Sequence, residues 1–142
     1  MYKTIVCAIG PGSKERAEHL LRTAHALLDD DGTLHLAHSV ERFPSLGTQG
    51  PDDRAVSIIS EAEEKLSQLC RKLPMPAPVH VSTGRAADAV LAIAADVKAD
   101  LIVVAAHEPD ILDHVFGSTV DHIVHHAKCS VHIDRIPPAP KQ

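Results

Sequence analysis

Short apolar segments alternate with longer amphipathic segments along the chain of 142 residues. The short segments are rich in Val, Ile, Leu and Ala, and turn-forming residues such as Gly, Pro and Asp separate them, as is typical of β-strands. Five of them are predicted to be strands: residues 2–9, 34–40, 79–83, 101–106 and 129–134. The sequence therefore predicts an alternation of strands with helices.

Four helices are predicted from apolar residues spaced three and four positions apart. Ser13 can cap the first helix, which is predicted to end near Asp31-Gly32. Residues 43–53 are rich in Pro, Gly, Ser and Asp and are predicted to form a loop. The other three helices are predicted over residues 55–73, over residues 86–97 and after Gly117.

Two of the predicted strands indicate their place in a sheet. Residues 101–106, LIVVAA, are continuously apolar, which is typical of a parallel strand covered on both faces. Residues 129–134 alternate apolar and polar, so that strand is predicted to lie half exposed at an edge. Five strands alternating with four helices predict a doubly wound α/β fold. Ligands of such folds bind beyond the carboxyl ends of the strands, so the loops 10–13, 84–86 and 105–119 are candidates for a site.

The composition narrows the possible functions. The formal net charge is −5, no Lys/Arg cluster occurs, and aromatic residues make up 2% of the chain. The chain lacks the cations and stacking rings that bind nucleic acid, which is excluded as a partner. Cys7, Cys70 and Cys129 lack a C-x-x-C spacing, which favours reduced thiols. No signal peptide or membrane-spanning run is recognised, so a cytoplasmic protein with no membrane partner is expected.

The residues Gly117, Ser118 and Thr119 before the last helix have two interpretations. In the first, the hydroxyl of Ser118 or Thr119 caps the helix. In the second, the free N–H groups of the first turn bind phosphate. The residues alone leave both interpretations open. The segment 10–14, GPGSK, lacks the G-x-x-x-x-G-K-[ST] spacing of a phosphate loop, so a tight turn is the favoured interpretation there.

Patterns of catalysis and metal binding are weak. No G-x-S-x-G motif marks a nucleophile and no general base is evident, so any hydrolytic activity is expected to be slow. His122 and His126 have an i,i+4 spacing, but no third ligand follows at a suitable spacing. Metal binding by this pair is expected to be adventitious. Neither a catalytic residue nor a native metal site is predicted.

Five motifs occur in the order and spacing of a known family. They are MYKTIV, HLAHSV, V-x-x-G-R-A-x-D, DLIVVAAHEPDI-x-x-x-x-FGS and V-x-H-A-K-C-S-V. Together they resemble the universal stress protein family over almost the whole chain. The resemblance implies one Rossmann-like α/β domain at 1–136, with a five-stranded parallel sheet of order 3-2-1-4-5 and helices on both faces, before a Pro-rich tail at 137–142. It also implies a homodimer through the last strand, at Ser130, His132 and Asp134.

The resemblance implies an adenine nucleotide, ATP or AMP with Mg²⁺, as the ligand. Adenine is expected at the end of the second strand, ribose beside Gly84, and phosphates at the start of the last helix. The residues that the resemblance places around the nucleotide are Gly10, Pro11, Ser39, Val40, Gly84, Arg85, Ala105, His107, Gly117, Ser118 and Thr119.

Three positions depart from the nucleotide-binding pattern of that family. Gly10 stands where most members have Asp, and Ala105 and Glu108 replace two glycines of the phosphate loop. Four basic side chains near the loops of the predicted site can still hold an anion beside the added carboxylate: His107, His114, Lys14 and Arg85. A second hypothesis therefore stands beside the first: a member that binds no nucleotide and works as a dimeric interaction module through its dimer face and the 41–53 loop.

Overall fold

The computed structural model describes residues 1–10, 14–40, 51–71, 77–106 and 118–135, apart from the side chains of 51–56 and Ser118. Its strands are β1 (Tyr2–Ala8), β2 (Leu28–Val40), β3 (Val79–Thr83), β4 (Leu101–Ala106) and β5 (Ser130–Arg135). Its helices are α1 (Lys14–Leu27), α2 (Pro51–Cys70), α3 (Ala86–Val97) and α4 (Ser118–His126). None of the helices in these ranges is long and apolar enough to span a membrane.

The strands form one parallel sheet in the order β3-β2-β1-β4-β5. The predicted fold class and strand order are thereby confirmed. The order reverses between β1 and β4, because β2 follows on one side of β1 and β4 pairs on the other. The chain leaves the carboxyl ends of these two strands in opposite directions, which opens a crevice between them.

Helices cover both faces of the sheet and create two hydrophobic cores. α1 and α2 pack on one face, and α3 and α4 pack on the other. Alternate residues of β1 pack into the two cores. Ile5 and Cys7 belong to the first core and Val6 belongs to the second, and all three are fully buried. β4 is buried except at half-buried Ala105, as its unbroken apolar sequence predicted. Each helix follows a strand, so the helices begin at the carboxyl edge of the sheet.

The first helix ends earlier than predicted and β2 begins earlier. α1 stops at Leu27, not near Asp31-Gly32, and β2 starts at Leu28 instead of residue 34. Leu28 pairs with Tyr2 and is buried in the first core, which fixes this segment against β1 although its next residues are polar. The register then shifts before Thr4 pairs with Thr33, so the polar residues between are accommodated as an irregularity of the strand.

The second helix also begins earlier than its apolar stripe predicted. α2 starts at Pro51, so the prediction of a loop is wrong for residues 51–53. Proline suits the first turn of a helix, where its missing N–H has no intrahelical partner, and the acidic residues 52–53 suit the positive end of the helix dipole. Residues 41–50, the Ser13 cap and the tail at 137–142 lie outside the described residues.

Candidate functional site

A cleft of about 890 Å³ lies at the carboxyl ends of β1, β2 and β4. α1 and α2 contribute residues from one face of the sheet, and α3 and α4 from the other. The cleft thus occupies the crevice where the strand order reverses, the usual place for a ligand in this architecture. Its volume lies within the range of about 300–1,000 Å³ found for small-molecule sites.

The wall at the ends of β2 and β3 is held by hydrogen bonds between the strands. The buried Ser39 hydroxyl donates to the Gly84 carbonyl over 2.6 Å. The Gly84 N–H donates to the Val40 carbonyl over 3.2 Å. Gly84 has φ of +107°, a conformation that favours glycine and lets the chain turn directly into α3. The Ser39 side chain therefore positions the backbone, and its hydroxyl is engaged within the protein.

His38 joins β2 to the end of β1 beneath the cleft. Its Nδ1 lies 2.7 Å from the Ile9 carbonyl oxygen, which can only accept, so Nδ1 carries the proton and donates. The Ile9 N–H in turn donates to the Ala37 carbonyl over 2.8 Å. His38 lines the cleft, although no sequence pattern singles it out as a site residue. Its signal was only its place near the end of a predicted strand, beside Ser39.

Two lysines line the cleft from the helices on the first face. Lys14 is the first residue of α1, and Lys65 projects from α2. Both are exposed, and Glu61 of α2 is their acidic neighbour along the cleft wall. The apolar periodicity of residues 55–73 assigns Lys65 to the outer face of its helix. The apolar period does not reveal its place, because the part of α2 that buries Leu66 and Leu69 in the first core also borders the cleft.

The opposite wall is formed by the end of β4 and the start of α4. Ala105 lines the cleft with its methyl group, and Thr119 and Val120 line it from the first turn of α4. The backbone N–H groups of a first turn have no intrahelical acceptors and carry the positive end of the helix dipole. This end of the cleft is therefore suited to an anion.

The predicted site residues fall into three groups. Those that line the cleft are Gly10, Ser39, Val40, Ala105 and Thr119. Gly84 and Arg85 adjoin it, since Gly84 is bonded to Ser39 and Arg85 precedes Ala86, which lines the cleft. Those that lie outside the described residues are Pro11, His107 and Gly117, together with Glu108 and His114, while Ser118 is described only as the first residue of α4.

Comparison with known proteins decides the family. The model of the universal stress protein family matches residues 1–135. This chain belongs to the universal stress protein family. Universal stress protein G of Escherichia coli O157:H7 is 30% identical over 142 residues, covering 95% of this chain and 100% of the relative. The resemblance seen in the sequence motifs is confirmed.

Solved structures of this family share the fold. Universal stress protein UspA from Lactobacillus plantarum matches with a TM-score of 0.70 at 20% identity, covering 94% of this chain and 98% of that one. The universal stress protein of Archaeoglobus fulgidus in complex with dAMP matches with a TM-score of 0.63 at 24% identity, covering 93% and 97%. At these identities the likeness concerns the fold.

The three cysteines of this universal stress protein are free and held as thiols. Burial raises the pKa of Cys7, and the neighbouring Cys70 and Asp134 raise it further. Burial also raises the pKa values of Cys70 and Cys129. The thiolate is the nucleophilic form, so none of these groups is activated for covalent chemistry at neutral pH.

The His pair singled out on the last helix is engaged in local contacts. The rings of His122 and His126 stack with centroids 4.2 Å apart. His126 donates from Nδ1 to the His122 carbonyl over 2.9 Å, and His122 Nε2 lies 3.4 Å from the Asp88 carboxylate. Across the ranges that the structure covers, no three His, Cys, Asp or Glu side chains converge as metal ligands.

Two of the three polar residues of edge strand β5 are less exposed than the alternating pattern predicted. Ser130 is exposed, whereas Asp134 is half-buried and lies 3.1 Å from Nε2 of His19 on α1. His132 Nε2 lies 3.8 Å from the same carboxylate. His132 and Asp134, two of the residues expected at the dimer strand, thus contact each other within one chain. The dimer itself stays a prediction.

Proposed function

We propose that this protein binds an adenine nucleotide, ATP with Mg²⁺ or AMP, in the cleft and acts in the stress response of the cytoplasm. The observation that carries the proposal is the meeting of three sequence-distant segments at one crevice. Gly10, Ser39-Val40 and Thr119 border the same space although up to 109 positions separate them in the chain. The dAMP complex of the Archaeoglobus fulgidus relative supports a nucleotide as the occupant of such a fold.

The β2–β3 wall is suited to the base and ribose. Its backbone is already fixed by the bonds of Ser39 and Gly84, so little ordering is needed when a ligand arrives. Among the residues that the structure describes, chain neighbours aside, no heavy atom lies within 4 Å of the position that a Gly84 side chain would take, which leaves room for a ligand to approach. The alanines and valines around this wall offer apolar surface to a flat base.

The phosphates would lie between α4 and the lysines of the first face. The first turn of α4 supplies N–H groups and the Thr119 hydroxyl, and Lys14 and Lys65 supply positive charge. The chain as a whole has a net charge of −5, which repels anions. Local positive charge at the cleft is therefore needed to attract an anionic ligand there. Of the two residues that replace glycines, Ala105 leaves the charge unchanged, whereas Glu108 adds a carboxylate that Lys14 and Lys65 must offset.

Isothermal titration of the nucleotide-stripped protein with Mg-ATP, and then with AMP, tests the proposal. Thr119→Ala removes a hydroxyl that would bond a charged phosphate, and we expect about tenfold weaker binding of Mg-ATP. Thr33→Ala, an exposed threonine on the opposite part of β2, is the matched control and should leave affinity unchanged. Equal affinity for parent, Thr119→Ala and Thr33→Ala would place the nucleotide elsewhere.

A second candidate function is that of an interaction module without nucleotide. It is favoured by Gly10, which leaves the end of β1 without a carboxylate, and by the Ala105 methyl group in the cleft. A folded parent that gives no heat up to millimolar ligand would support it. Restoration of ATP binding by combining Ala105→Gly with Glu108→Gly would identify these two residues as the cause.

The homodimer is proposed through β5 in either case. β5 is an edge strand of the described sheet, and pairing with a second copy would cover that edge. A sedimentation mass of two chains at micromolar concentration is expected. A mass of one chain would contradict the proposed dimer.

A further inference from the structure

The half-buried side chain of His38 borders the cleft with one ring nitrogen that has no partner. Leu36, two positions earlier on β2, belongs to the first core, so His38 projects from the same face of the sheet, towards α1 and α2. Within the described residues, the ring makes one hydrogen bond, between Nδ1 and the Ile9 carbonyl oxygen over 2.7 Å. The second ring nitrogen, Nε2, is left without a partner there.

The bond to Ile9 fixes which nitrogen of the neutral ring carries the proton. A carbonyl oxygen can only accept, so Nδ1 donates and Nε2 keeps its lone pair. The carbonyl is held in place, because the Ile9 N–H donates to the Ala37 carbonyl over 2.8 Å. Moving the proton to Nε2 would leave the Ile9 carbonyl without this donor. His38 therefore offers a fixed hydrogen-bond acceptor.

This acceptor is accessible from the cleft. Nε2 and Cε1 are the ring atoms farthest from the backbone, so a ring that projects from the sheet carries them foremost. In the part of the chain that the structure describes, the buried polar side-chain atoms without a hydrogen-bond partner are Ser82 Oγ and Asp134 Oδ2. Nε2 of His38 is not one of them. It is therefore reached through the cleft that His38 lines.

The surroundings of the ring favour a base over a phosphate as its contact. Ile9 and Val40 border the cleft beside His38, and both are apolar; Val40 lies on the same face of β2. A lone pair attracts an N–H group and repels the oxygens of a phosphate. The 6-amino group of adenine can donate to it, whereas the 6-oxo group of hypoxanthine or guanine can only accept.

We propose that Nε2 of His38 accepts a hydrogen bond from the 6-amino group of the base and thereby selects adenine over 6-oxo purine nucleotides. This inference rests on the proposed function, since it specifies how a nucleotide in the cleft is recognised. A 6-oxo group would bring a second acceptor against the lone pair and leave both without a donor. Such mismatches of polar groups reject a ligand more strongly than the loss of apolar contact does.

Calorimetric titration of the nucleotide-stripped full chain with Mg-ATP and with Mg-ITP tests the selection. The two ligands have the same ribose and triphosphate, and the base of ITP carries a 6-oxo group in place of the 6-amino group. We expect the parent to bind Mg-ATP at least about tenfold more tightly than Mg-ITP.

His38→Asn separates recognition of the base from support of the strand end. The Asn amide nitrogen can take the place of Nδ1 and donate to the Ile9 carbonyl, but Asn has no atom at the position of Nε2. We expect the preference for Mg-ATP to fall to within about threefold. His35→Asn is the matched control. His35 lies on the opposite face of β2, outside the cleft, with its Nδ1 3.0 Å from Nε2 of His80, and its substitution should leave the preference unchanged.

The outcomes distinguish this inference from the proposed function. A parent that binds both nucleotides within about twofold would overturn the role of His38 and leave nucleotide binding in place. A preference that persists in His38→Asn would also overturn it, because another group would then recognise the base. A parent that binds neither nucleotide would overturn both.

Nitrogen-15 magnetic resonance of the parent tests the same contact without a substitution, so it decides the matter even if His38→Asn fails to fold. We expect Nε2 of His38 to be unprotonated in the neutral ring of the free protein, and its resonance to shift when Mg-ATP saturates the site. A proton on Nε2 of the neutral ring, or an unchanged resonance at saturation, would overturn the proposal.

Discussion

At both ends of the sheet, backbone N–H groups are placed to donate to an anion: one that belongs to the protein at the amino end, and one that a ligand would bring at the carboxyl end. At the amino end, the Asp100 carboxylate accepts hydrogen bonds from the backbone N–H groups of Lys3 (2.9 Å) and Thr4 (3.0 Å). The Asp100 N–H donates back to the Thr4 carbonyl over 2.9 Å. At the carboxyl end, Gly10 comes shortly after β1 and Gly84 directly after β3, and a cleft opens beside the first turn of α4.

This difference shows how one fold separates stability from binding. Backbone N–H groups facing a carboxylate form strong, charge-assisted hydrogen bonds. At the amino end that carboxylate belongs to the protein, so the bonds contribute to folding. At the carboxyl end the α4 N–H groups face a space large enough for a ligand that would bring its own anion. Substitutions at the amino end should therefore change stability more than those at the carboxyl end.

Gly32→Ala, at the amino end, is expected to have the largest effect. A Cβ at this position would lie 2.9 Å from the Lys3 carbonyl oxygen and 2.7 Å from Leu28 Cδ1. The Lys3 carbonyl is backbone in a paired strand and has little freedom to move. We expect a loss of about 2–3 kcal/mol in the free energy of unfolding, measured by urea denaturation, as for other overpacked sites.

Gly10→Ala, at the carboxyl end, is the matched control for this substitution. In the described part of the chain, no heavy atom other than those of the adjacent residues lies within 4 Å of the position of its Cβ, so a methyl group has room there. Its stability should stay within about 0.5 kcal/mol of the parent. Equal losses for the two substitutions would mean that crowding does not distinguish the ends of this sheet.

The sequence predicted the features that depend on local pattern. The unbroken apolar run 101–106 gave a buried strand, and the stripe that begins at Ala55 gave α2, because periodicity reports which faces are covered. Pattern failed at residues 28–33, where polar residues of low strand propensity are drawn into β2 by the pairing of Leu28 with Tyr2. Tertiary pairing overrides local propensity there.

The contacts between distant residues could not be read from the sequence. Asp100 reaches Lys3 across 97 positions, and His35 reaches His80 across 45. Only the strand order and register bring such residues together, and neither contact follows a recurring spacing. The candidate site contains residues of both kinds. Ser39 lies in one of the family motifs, whereas the position of Lys65 at the cleft is seen only in the three-dimensional arrangement.

Asp100→Asn is expected to have an intermediate effect. Burial opposes ionisation of this carboxyl group, but the N–H groups of Lys3 and Thr4 outweigh it and lower the pKa of Asp100 below its usual value. Asn retains one acceptor oxygen and loses the charge. Because Asp100 is exposed, solvent screens its charge, and we expect a loss of about 1–2 kcal/mol at pH 7, at the low end for a hydrogen bond to a charged group. Asp96→Asn, on exposed α3 surface, should change stability little.

The effect of Asp100 also depends on pH in a defined direction. A carboxyl group whose pKa is lower in the folded state stabilises the protein fully above its unfolded pKa of about 3.9. That contribution falls as the pH drops through the folded pKa. The stability difference between the parent and Asp100→Asn should therefore be constant near neutrality and shrink in acid. A difference that grows on acidification would contradict the proposed role.

Gly84→Ala, at the carboxyl end, is expected to have the smallest effect. The space around Gly84 is open, so the cost comes from φ of +107°, which an L-residue rarely adopts, and not from crowding. Part of the strain is offset because alanine restricts the unfolded chain, which leaves a net loss of about 1 kcal/mol in urea denaturation. Gly10→Ala again serves as control, since no positive φ is involved there. A loss as large as that of Gly32→Ala would show that the backbone beside Ser39 is held as rigidly as the amino end, and that the cleft wall contributes to folding as well as to binding.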